Sequence, residues 1–248
     1  MTSWPWPARI AHRGGGTLAP ENTLAGLREA AARGFRAVEF DVMLSADRVP
    51  LLIHDETLER TTDGAGEVAL TPWSRIATLD AGAWLDPRHA GARVPRFDEA
   101  ARLCVALGLW ANVEVKPAPG HERDTGLAAA RIAAQVWPTG ATPAQALPLI
   151  SSFSEQALHA VREAAPELPR ALLVDRVPPD WRDRMRSHDC VALHTNHRHL
   201  EAATARALKD AGYGLACYTV NDPEIESALH AMGVDAVFTD RLDLFPPA

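Results

Sequence analysis

Two acidic residues, Glu39 and Asp41, lie in an otherwise apolar stretch, Val38-Glu39-Phe40-Asp41-Val42. Successive side chains of a strand point to opposite faces, so the two carboxylates would share one face and the three apolar side chains the other. Oxygen ligands this close together suit a hard divalent cation such as Mg²⁺ or Ca²⁺, whereas Zn²⁺ more often recruits His or Cys. Considered alone, the pair is more typical of the solvated face of an ordinary sheet.

The whole chain alternates between short apolar runs and amphipathic segments, which is the pattern of repeated strand–helix units. We predict eight core strands, which contain Ile10, Val38, Val113, Ile150, Leu173, Val191, Ala216 and Val237. Eight such units predict an α/β fold of the (β/α)₈ TIM-barrel type, and a chain of 248 residues commonly forms such a barrel as one domain, here residues 1–248. The alternative is an open doubly wound sheet, but the first strand carries no G-x-G-x-x-G pattern.

Three local features modify this repeat. Pro20 is expected to open the first helix, which would run over residues 20–33. The apolar run over residues 49–53 would form either a hairpin with the second strand or an extension of it. Residues 56–96 have recurrent glycines, prolines and threonines and no strong periodicity, which predicts a lid-like insertion after the second strand that covers one end of the barrel.

Composition excludes several classes of function. The net charge is −7 and there is no block of Lys or Arg, which argues against binding to nucleic acid and favours a small-molecule partner. No run approaches the roughly 20 consecutive apolar residues of a membrane span, and residues 1–10 lack the features of a signal peptide, so we expect a cytoplasmic protein. The three cysteines, Cys104, Cys190 and Cys217, lie far apart in apolar surroundings, which predicts buried free thiols.

Acidic side chains end two of the predicted strands. The site of such a barrel lies at the carboxyl ends of its strands, where Glu39 and Asp41 would meet Glu114 of the third strand. Each acid could instead pair with a neighbouring Lys or Arg at the rim. However, three inward carboxylates with few cations would repel one another, so a divalent metal ion is the better explanation.

Basic side chains end the same group of strands. The first strand ends in His12-Arg13, His54 ends the extension of the second, and Lys116 shares a face with Glu114. Two histidines beside a metal site favour a general acid–base pair. Arg13 and Lys116 would hold an anionic group, of which a metal-bound phosphate is the simplest candidate.

Taken together, these motifs resemble those of the glycerophosphodiester phosphodiesterase family, in order and in spacing over nearly the whole chain. The irregular segment is similar to the insertion that follows the second strand in that family. The motifs that carry the resemblance are His12-Arg13-Gly14, Glu21-Asn22-Thr23, Glu39-Phe40-Asp41-Val42, His54-Asp55, Leu58-Glu59-Arg60-Thr61-Thr62-Asp63-Gly64, Leu79-Asp80-Ala81-Gly82, Glu114-x-Lys116 and Val234-Asp235-x-x-x-Thr239-Asp240.

The resemblance implies a metal-dependent hydrolase that cleaves glycerophosphodiesters, such as glycerophosphocholine or glycerophosphoethanolamine, to sn-glycerol 3-phosphate and an alcohol. It implies one divalent cation on Glu39, Asp41 and Glu114. It also implies His12 as the base that deprotonates the nucleophile and His54 as the acid that protonates the leaving alcohol. The nucleophile is either water or the glycerol hydroxyl of the substrate, which would give a cyclic phosphate.

One motif departs from the family pattern. The family's seventh strand usually ends Trp-Thr-Val-Asn, but here it reads Tyr218-Thr219-Val220-Asn221, so Tyr218 would be the aromatic wall for the glycerol. Two other functions remain open, a phospholipase-D-like enzyme of the same superfamily and a non-catalytic binding barrel. The histidine-rich residues 194–199 are interpreted as a polar loop, although His194 could still touch substrate. Ser154 is expected to cap a helix, and Trp84 either packs or lines the leaving-group pocket.

Overall fold

The computed structural model of the protein describes residues 4–137 and 147–245. In it the chain forms a closed parallel barrel that is surrounded by helices. Eight strands are parallel, and pairing of the first with the second, Ala11 opposite Val38, closes the barrel. This confirms the predicted (β/α)₈ architecture. The strands of the described part of the chain are β1 (Arg9–Ala11), β2 (Ala37–Leu44), β3 (Pro50–Leu52), β4 (Trp110–Val115), β5 (Leu149–Ser152), β6 (Arg170–Val174), β7 (Cys190–Asn196), β8 (Gly214–Tyr218) and β9 (Ala236–Thr239).

The helices pack on the outer face of the strands, where Phe40, Phe97 and Trp137 belong to one buried cluster. Within the described residues, no helix is long and apolar enough to cross a membrane. The three cysteines are buried and free, as predicted. The helices are α1 (Leu24–Ala32), α2 (Trp73–Ile76), α3 (Phe97–Leu107), α4 (Glu122–Val136), α5 (Glu155–Ala164), α6 (Trp181–Ser187), α7 (Ala202–Asp210) and α8 (Pro223–Ala231).

The amino-terminal half of the barrel interior is filled by aromatic rings. The inward residues there are mostly alanine, which leaves space that Trp4, Trp6 and Trp110 occupy, and the rings of Trp6 and Trp110 stack at 5.1 Å. We call these three tryptophans the aromatic plug. Gly214 belongs to the same arrangement, since a Cβ there would lie 2.8 Å from the Trp4 ring. Because the plug fills this half, the cavity lies at the carboxyl ends of the strands.

The first helix begins later than predicted, at Leu24 and not at Pro20. Asn22 has a left-handed φ of 55°, which interrupts any helix from Pro20, and the Thr23 side chain caps α1 by accepting from the Gly26 amide at 3.1 Å. The prediction was wrong because residues 20–22 fold back toward β1 instead. The Asn22 amide donates to the Arg13 carbonyl at 3.0 Å, which brings Asn22 beside the strand ends.

The segment after the second strand forms a hairpin and an irregular insertion. Of the two alternatives for residues 49–53, the hairpin is confirmed, because β3 pairs antiparallel with β2. The insertion packs on this hairpin through its own apolar cluster, in which Leu58, Val68 and Ile76 cover Met43 and Leu51. The expectation of a single domain over 1–248 stays a prediction, and residues 1–3, 138–146 and 246–248 of that range lie outside the described part.

Gly16 holds the loop after β1 against the loop after β9, and we expect alanine there to destabilise the protein. Gly16 has a left-handed φ of 55°, and a Cβ would lie 2.2 Å from the carbonyl oxygen of Asp240. In Gly16→Ala, the clash should lower the free energy of unfolding by about 1–3 kcal/mol beyond the conformational cost of a left-handed alanine. Urea unfolding measures this loss.

Gly108→Ala is the matched control, because Gly108 has a φ of 66° and a Cβ there would meet no other group of the described residues within 4 Å. It should lose only the conformational part, about 1–2 kcal/mol. Equal losses in the two variants would contradict the proposed packing role of Gly16.

Candidate active site

Three carboxylates meet at the mouth of the barrel. Asp41 of β2 lies opposite Glu114 of β4 in the strand register, and Glu39 lies one inward position deeper on β2. Each of the three contributes an oxygen, and these oxygens lie within 4.8 Å of one another. The side chains of Glu39 and Asp41 are almost fully buried. The structure therefore brings together the three acids that the sequence analysis singled out, including the distant Glu114, while their role as metal ligands stays a prediction.

Burial and mutual repulsion raise the pKa of two of these acids, Glu114 and Glu39. Burial, followed by the charge of Asp41, raises the pKa of Glu114 to about 8. Burial and the charges of Asp41 and Glu114 also raise the pKa of Glu39. One oxygen of Glu39, Oε1, is buried and has no hydrogen-bond partner among the described residues. A hard cation would neutralise the repulsion and occupy that oxygen, so the residues present fit a divalent metal ion.

Neighbouring groups orient the carboxylates. The Asn22 side chain donates from Nδ2 to Asp41 Oδ2 at 2.8 Å and accepts from the Asp41 amide at 3.0 Å. The backbone amide of Arg13 donates to Glu39 Oε2 at 2.9 Å. Such outer hydrogen bonds fix metal-binding carboxylates in one orientation. Sequence reasoning assigned no role to Asn22, although it belongs to one of the motifs that carry the family resemblance.

His12 is held by a carboxylate on one side and lies near the acidic cluster on the other. Its Nδ1 lies 2.6 Å from Asp240 Oδ1, and its Nε2 lies 3.8 Å from Glu39 Oε2. Asn221 in turn donates to Asp240 at 3.1 Å and accepts from the Asp240 amide at 2.8 Å. Burial opposes ionisation of Asp240, but the hydrogen bonds from His12 and Asn221 outweigh it and lower its pKa. Asp240 thus sets the orientation of the His12 ring, a role that sequence reasoning missed.

His54 is held in a similar way but has a cation at its other nitrogen. Its Nδ1 lies 2.6 Å from Asp55 Oδ1, and its Nε2 accepts a hydrogen bond from the Lys116 ammonium group. Burial, and then the charges of Arg13 and Lys116, lower the pKa of His54. These effects favour the neutral form of the His54 ring, whose Nε2 lies on the side of Lys116.

Two cationic side chains, Arg13 and Lys116, lie beside the acids. The Arg13 Nε and the Lys116 Nζ are each 3.9 Å from a different oxygen of Asp41. Arg13 also donates to Glu21 at 2.9 Å, and Glu21 accepts two hydrogen bonds from Arg60 of the insertion. Both cations face the cavity. They are suitably placed to contact an anionic group bound at the acids.

All eight predicted site residues line one cavity of about 460 Å³. Tyr218 donates its hydroxyl to the Val174 carbonyl at 2.9 Å, and its ring lies edge-on to the exposed Phe153 at 6.2 Å. The structure thus brings the predicted residues together, while their individual roles stay predictions. The cavity is lined by His12, Arg13, Glu39, Asp41, His54, Asn112, Glu114, Lys116, Ser151, Phe153, Leu173, His194, Asn196, His197, Arg198, Tyr218, Thr219, Asn221 and Phe238.

Two weaker predictions need correction. The polar loop predicted over residues 194–199 begins only at His197, because β7 continues to Asn196 and places His194, fully buried, inside the barrel. Trp84 is 40% exposed and donates to the Ala81 carbonyl, away from the residues described as lining the cavity, so it does not form a leaving-group pocket there. Ser154 caps α5 as predicted, since its hydroxyl accepts from the Ala157 amide at 3.2 Å.

The raised pKa of Glu114 makes stability depend on pH. Its pKa is about 8 in the folded protein and ordinarily 4.5, so its protonation favours folding at low pH and this contribution is lost as pH rises toward 8. With a chelator present, the free energy of unfolding should fall between pH 6.5 and 8.5, by at most about 1.4 kcal/mol per pH unit from this group. Chemical unfolding at several pH values measures the slope.

Glu114→Gln should flatten this slope, because an amide does not titrate, whereas Glu167→Gln at an exposed position should leave it unchanged. Addition of Mg²⁺ at pH 8 should raise the melting temperature of the unmodified protein more than that of Glu114→Gln. Identical slopes in all three proteins would show that Glu114 has an ordinary pKa.

Several known proteins are similar to this chain over almost its entire length. The model of the glycerophosphoryl diester phosphodiesterase family matches residues 12–244. A glycerophosphodiester phosphodiesterase from Caldanaerobacter subterraneus subsp. tengcongensis is 31% identical over 237 residues, which cover 93% of each chain. The solved structure of an Oleispira antarctica phosphodiesterase in complex with the product sn-glycerol-3-phosphate is 37% identical, with a TM-score of 0.90 over 95% of this chain and 93% of that one.

A second solved structure is also similar to this chain. The glycerophosphodiester phosphodiesterase from Agrobacterium tumefaciens str. C58 is 29% identical and has a TM-score of 0.79, with 100% of both chains covered. A family match of this extent, together with these relatives, shows that the chain belongs to the glycerophosphoryl diester phosphodiesterase family.

Proposed function

We propose that the protein hydrolyses glycerophosphodiesters, such as glycerophosphocholine or glycerophosphoethanolamine, to sn-glycerol 3-phosphate and an alcohol, with one divalent cation, Mg²⁺ or Ca²⁺. The observation that carries this proposal is one cavity in which three clustered carboxylates face two carboxylate-bound histidines and two cations. The similar Oleispira antarctica enzyme, whose structure contains sn-glycerol-3-phosphate, supports the product class. The predicted cytoplasmic location and the absence of a nucleic-acid partner stay predictions.

The three acids would bind the phosphate through the metal ion, and the two cationic side chains would bind it directly. Glu39, Asp41 and Glu114 would hold the cation, which supplies neutralisation of negative charge on the phosphoryl oxygens when bound. Arg13 and Lys116 would contact the remaining phosphoryl oxygens, since their cationic groups lie on the cavity side of Asp41. Because both cations are partly buried, their attraction for a phosphate is stronger than it would be in water.

His12 and His54 would transfer the protons. The Asp240 carboxylate binds His12 Nδ1, which leaves Nε2 to accept the proton of the nucleophile. His54 would first take up a proton from solvent and would then donate it from Nε2 to the leaving alcohol. Although its pKa is low in the free protein, the negative charge of a bound phosphodiester beside the ring would raise that pKa and allow it to hold the proton. Both water and the substrate's own glycerol hydroxyl remain candidate nucleophiles.

Metal-dependent release of sn-glycerol 3-phosphate tests the proposed reaction. Purified protein incubated with glycerophosphocholine or glycerophosphoethanolamine should release it in the presence of Mg²⁺ or Ca²⁺ and should stop when a chelator is added. A coupled glycerol 3-phosphate assay measures the product. No metal-dependent product from either substrate would overturn the proposed function.

His12→Ala and His54→Ala test the two proton-transfer roles. Each should lower kcat by roughly 10²- to 10⁴-fold, which is the usual contribution of a positioned acid or base, while circular dichroism and the melting temperature show an intact fold. His159→Ala is the matched control, because the His159 side chain is 58% exposed on a helix away from the cavity. Near-normal activity of either test variant would remove that histidine from the mechanism.

A further inference from the structure

Three polar atoms at the bottom of the cavity have no hydrogen-bond partner among the described residues. They are Oδ1 of Asn112 and both ring nitrogens of His194. The two side chains are 1% and 0% exposed, and both line the cavity. We call them the cavity floor. None of the proton-transfer or metal-binding roles proposed above uses either residue.

The floor lies directly between the aromatic plug and the acidic cluster. On the inner face of β4, Trp110 of the plug is followed by Asn112, then by Glu114 and Lys116, so successive inward positions run from the plug to the phosphate contacts. The His194 ring on β7 lies 6.1 Å from the Trp4 ring and 5.1 Å from the Phe238 ring. A group that extends inward from a phosphate at Glu114 would therefore point toward the level of Asn112 and His194.

The chemistry of the floor suits a hydroxyl group. Burial lowers the pKa of His194 to about 3, so its ring is neutral and offers one donor and one acceptor. Asn112 already donates from Nδ2 to Ser151 Oγ at 2.9 Å, which fixes the amide and leaves Oδ1 as an acceptor. A hydroxyl can donate to one of these acceptors and accept from the imidazole at the same time. A phosphate or carboxylate would find one neutral donor and two acceptors, which is a poor match for an anion.

Buried polar groups without partners are unfavourable, so these atoms are expected to find a partner in a bound molecule. We propose that His194 and Asn112 bind the terminal hydroxyl of the glycerol moiety, and that the floor thereby selects diesters of glycerol over diesters that lack this hydroxyl. This proposal rests on the proposed function and adds a specificity determinant to it. The apolar surroundings on the plug side strengthen the selection. When a substrate lacks the hydroxyl, solvent cannot supply the missing hydrogen bonds to Asn112 and His194 there.

The glycerol moiety, and not the leaving alcohol, is the group that fits this position. The floor lies against the plug, so a group that binds there must be small and must have the same size in every substrate. The opposite end of the cavity is lined by Phe153, which is 52% exposed, and by the exposed Arg198. An open end of this kind can accommodate alcohols of different size and charge.

A pair of substrates that differ only in the terminal hydroxyl tests the proposal. The unmodified enzyme should hydrolyse glycerophosphoethanolamine with a kcat/KM on the order of 10-fold or more above that of 2-hydroxypropyl phosphoethanolamine, which keeps the inner hydroxyl as a candidate nucleophile. In His194→Phe this ratio should fall to nearly 1. Calorimetric binding of sn-glycerol 3-phosphate and of 2-hydroxypropyl phosphate should show the same loss of preference without turnover.

Two further variants keep the result interpretable. Thr195→Val is the matched control, because Thr195 is equally buried on β7 but is not among the residues that line the cavity. The Thr195 hydroxyl contacts the Asp175 carbonyl instead. The ratio of kcat/KM for the two substrates should therefore not change in this variant. His194→Gln keeps a hydrogen-bond donor and an acceptor, so it should retain part of the preference for the substrate with the terminal hydroxyl. This variant tests the proposal even if His194→Phe does not fold.

The outcomes separate this proposal from the proposed function. Absence of any glycerophosphodiester hydrolysis by the unmodified protein would overturn the function itself. Normal hydrolysis with equal kcat/KM for the two substrates, or an unchanged ratio in His194→Phe, would overturn only the role of the floor and would indicate that buried water satisfies these atoms.

Discussion

Repulsion among three clustered carboxylates, two of them buried and one half-buried, is the interaction on which the rest of the site depends. The strand register forces Asp41 to lie opposite Glu114, and the alternation of side chains along β2 directs Glu39 to the same interior. Like charges this close in a partly dry cavity cannot all remain ionised without a counter-charge. Arg13, Lys116 and the Asn22 amide offset part of this repulsion, and a divalent cation would offset the rest.

A second layer of charges surrounds this centre and connects the insertion to it. Arg60 of the insertion bridges Glu21 and Asp55, which in turn hold Arg13 and His54. Hydrogen bonds from Arg60 and then from His54 hold the pKa of Asp55 far below its ordinary value. The insertion therefore supports the site through one arginine at its edge, while none of residues 56–96 lines the cavity. Its apolar cluster on the β2–β3 hairpin keeps that arginine in position.

The depth of the cavity follows from the small residues inside the barrel. Alanines at the amino-terminal ends of the strands admit the three tryptophans of the plug, which end the cavity at the level of Asn112 and His194. Above that floor lie the ionisable side chains that line the cavity. One packing feature thus sets how far the cavity extends below the three acids.

Local periodicity in the sequence was sufficient to predict the strands, their order and the residues that share an inward face, such as Glu39 with Asp41 and Glu114 with Lys116. The family resemblance added a proposed role for each. Neither could identify the partners that orient these groups, because Asn22, Asp240 and Asn221 reach the site only when distant strand ends meet on barrel closure. The same holds for His194. Whether a residue near a strand end faces solvent or the interior depends on where the strand stops, and pairing with β6 and β8, not local sequence, extends β7 to Asn196.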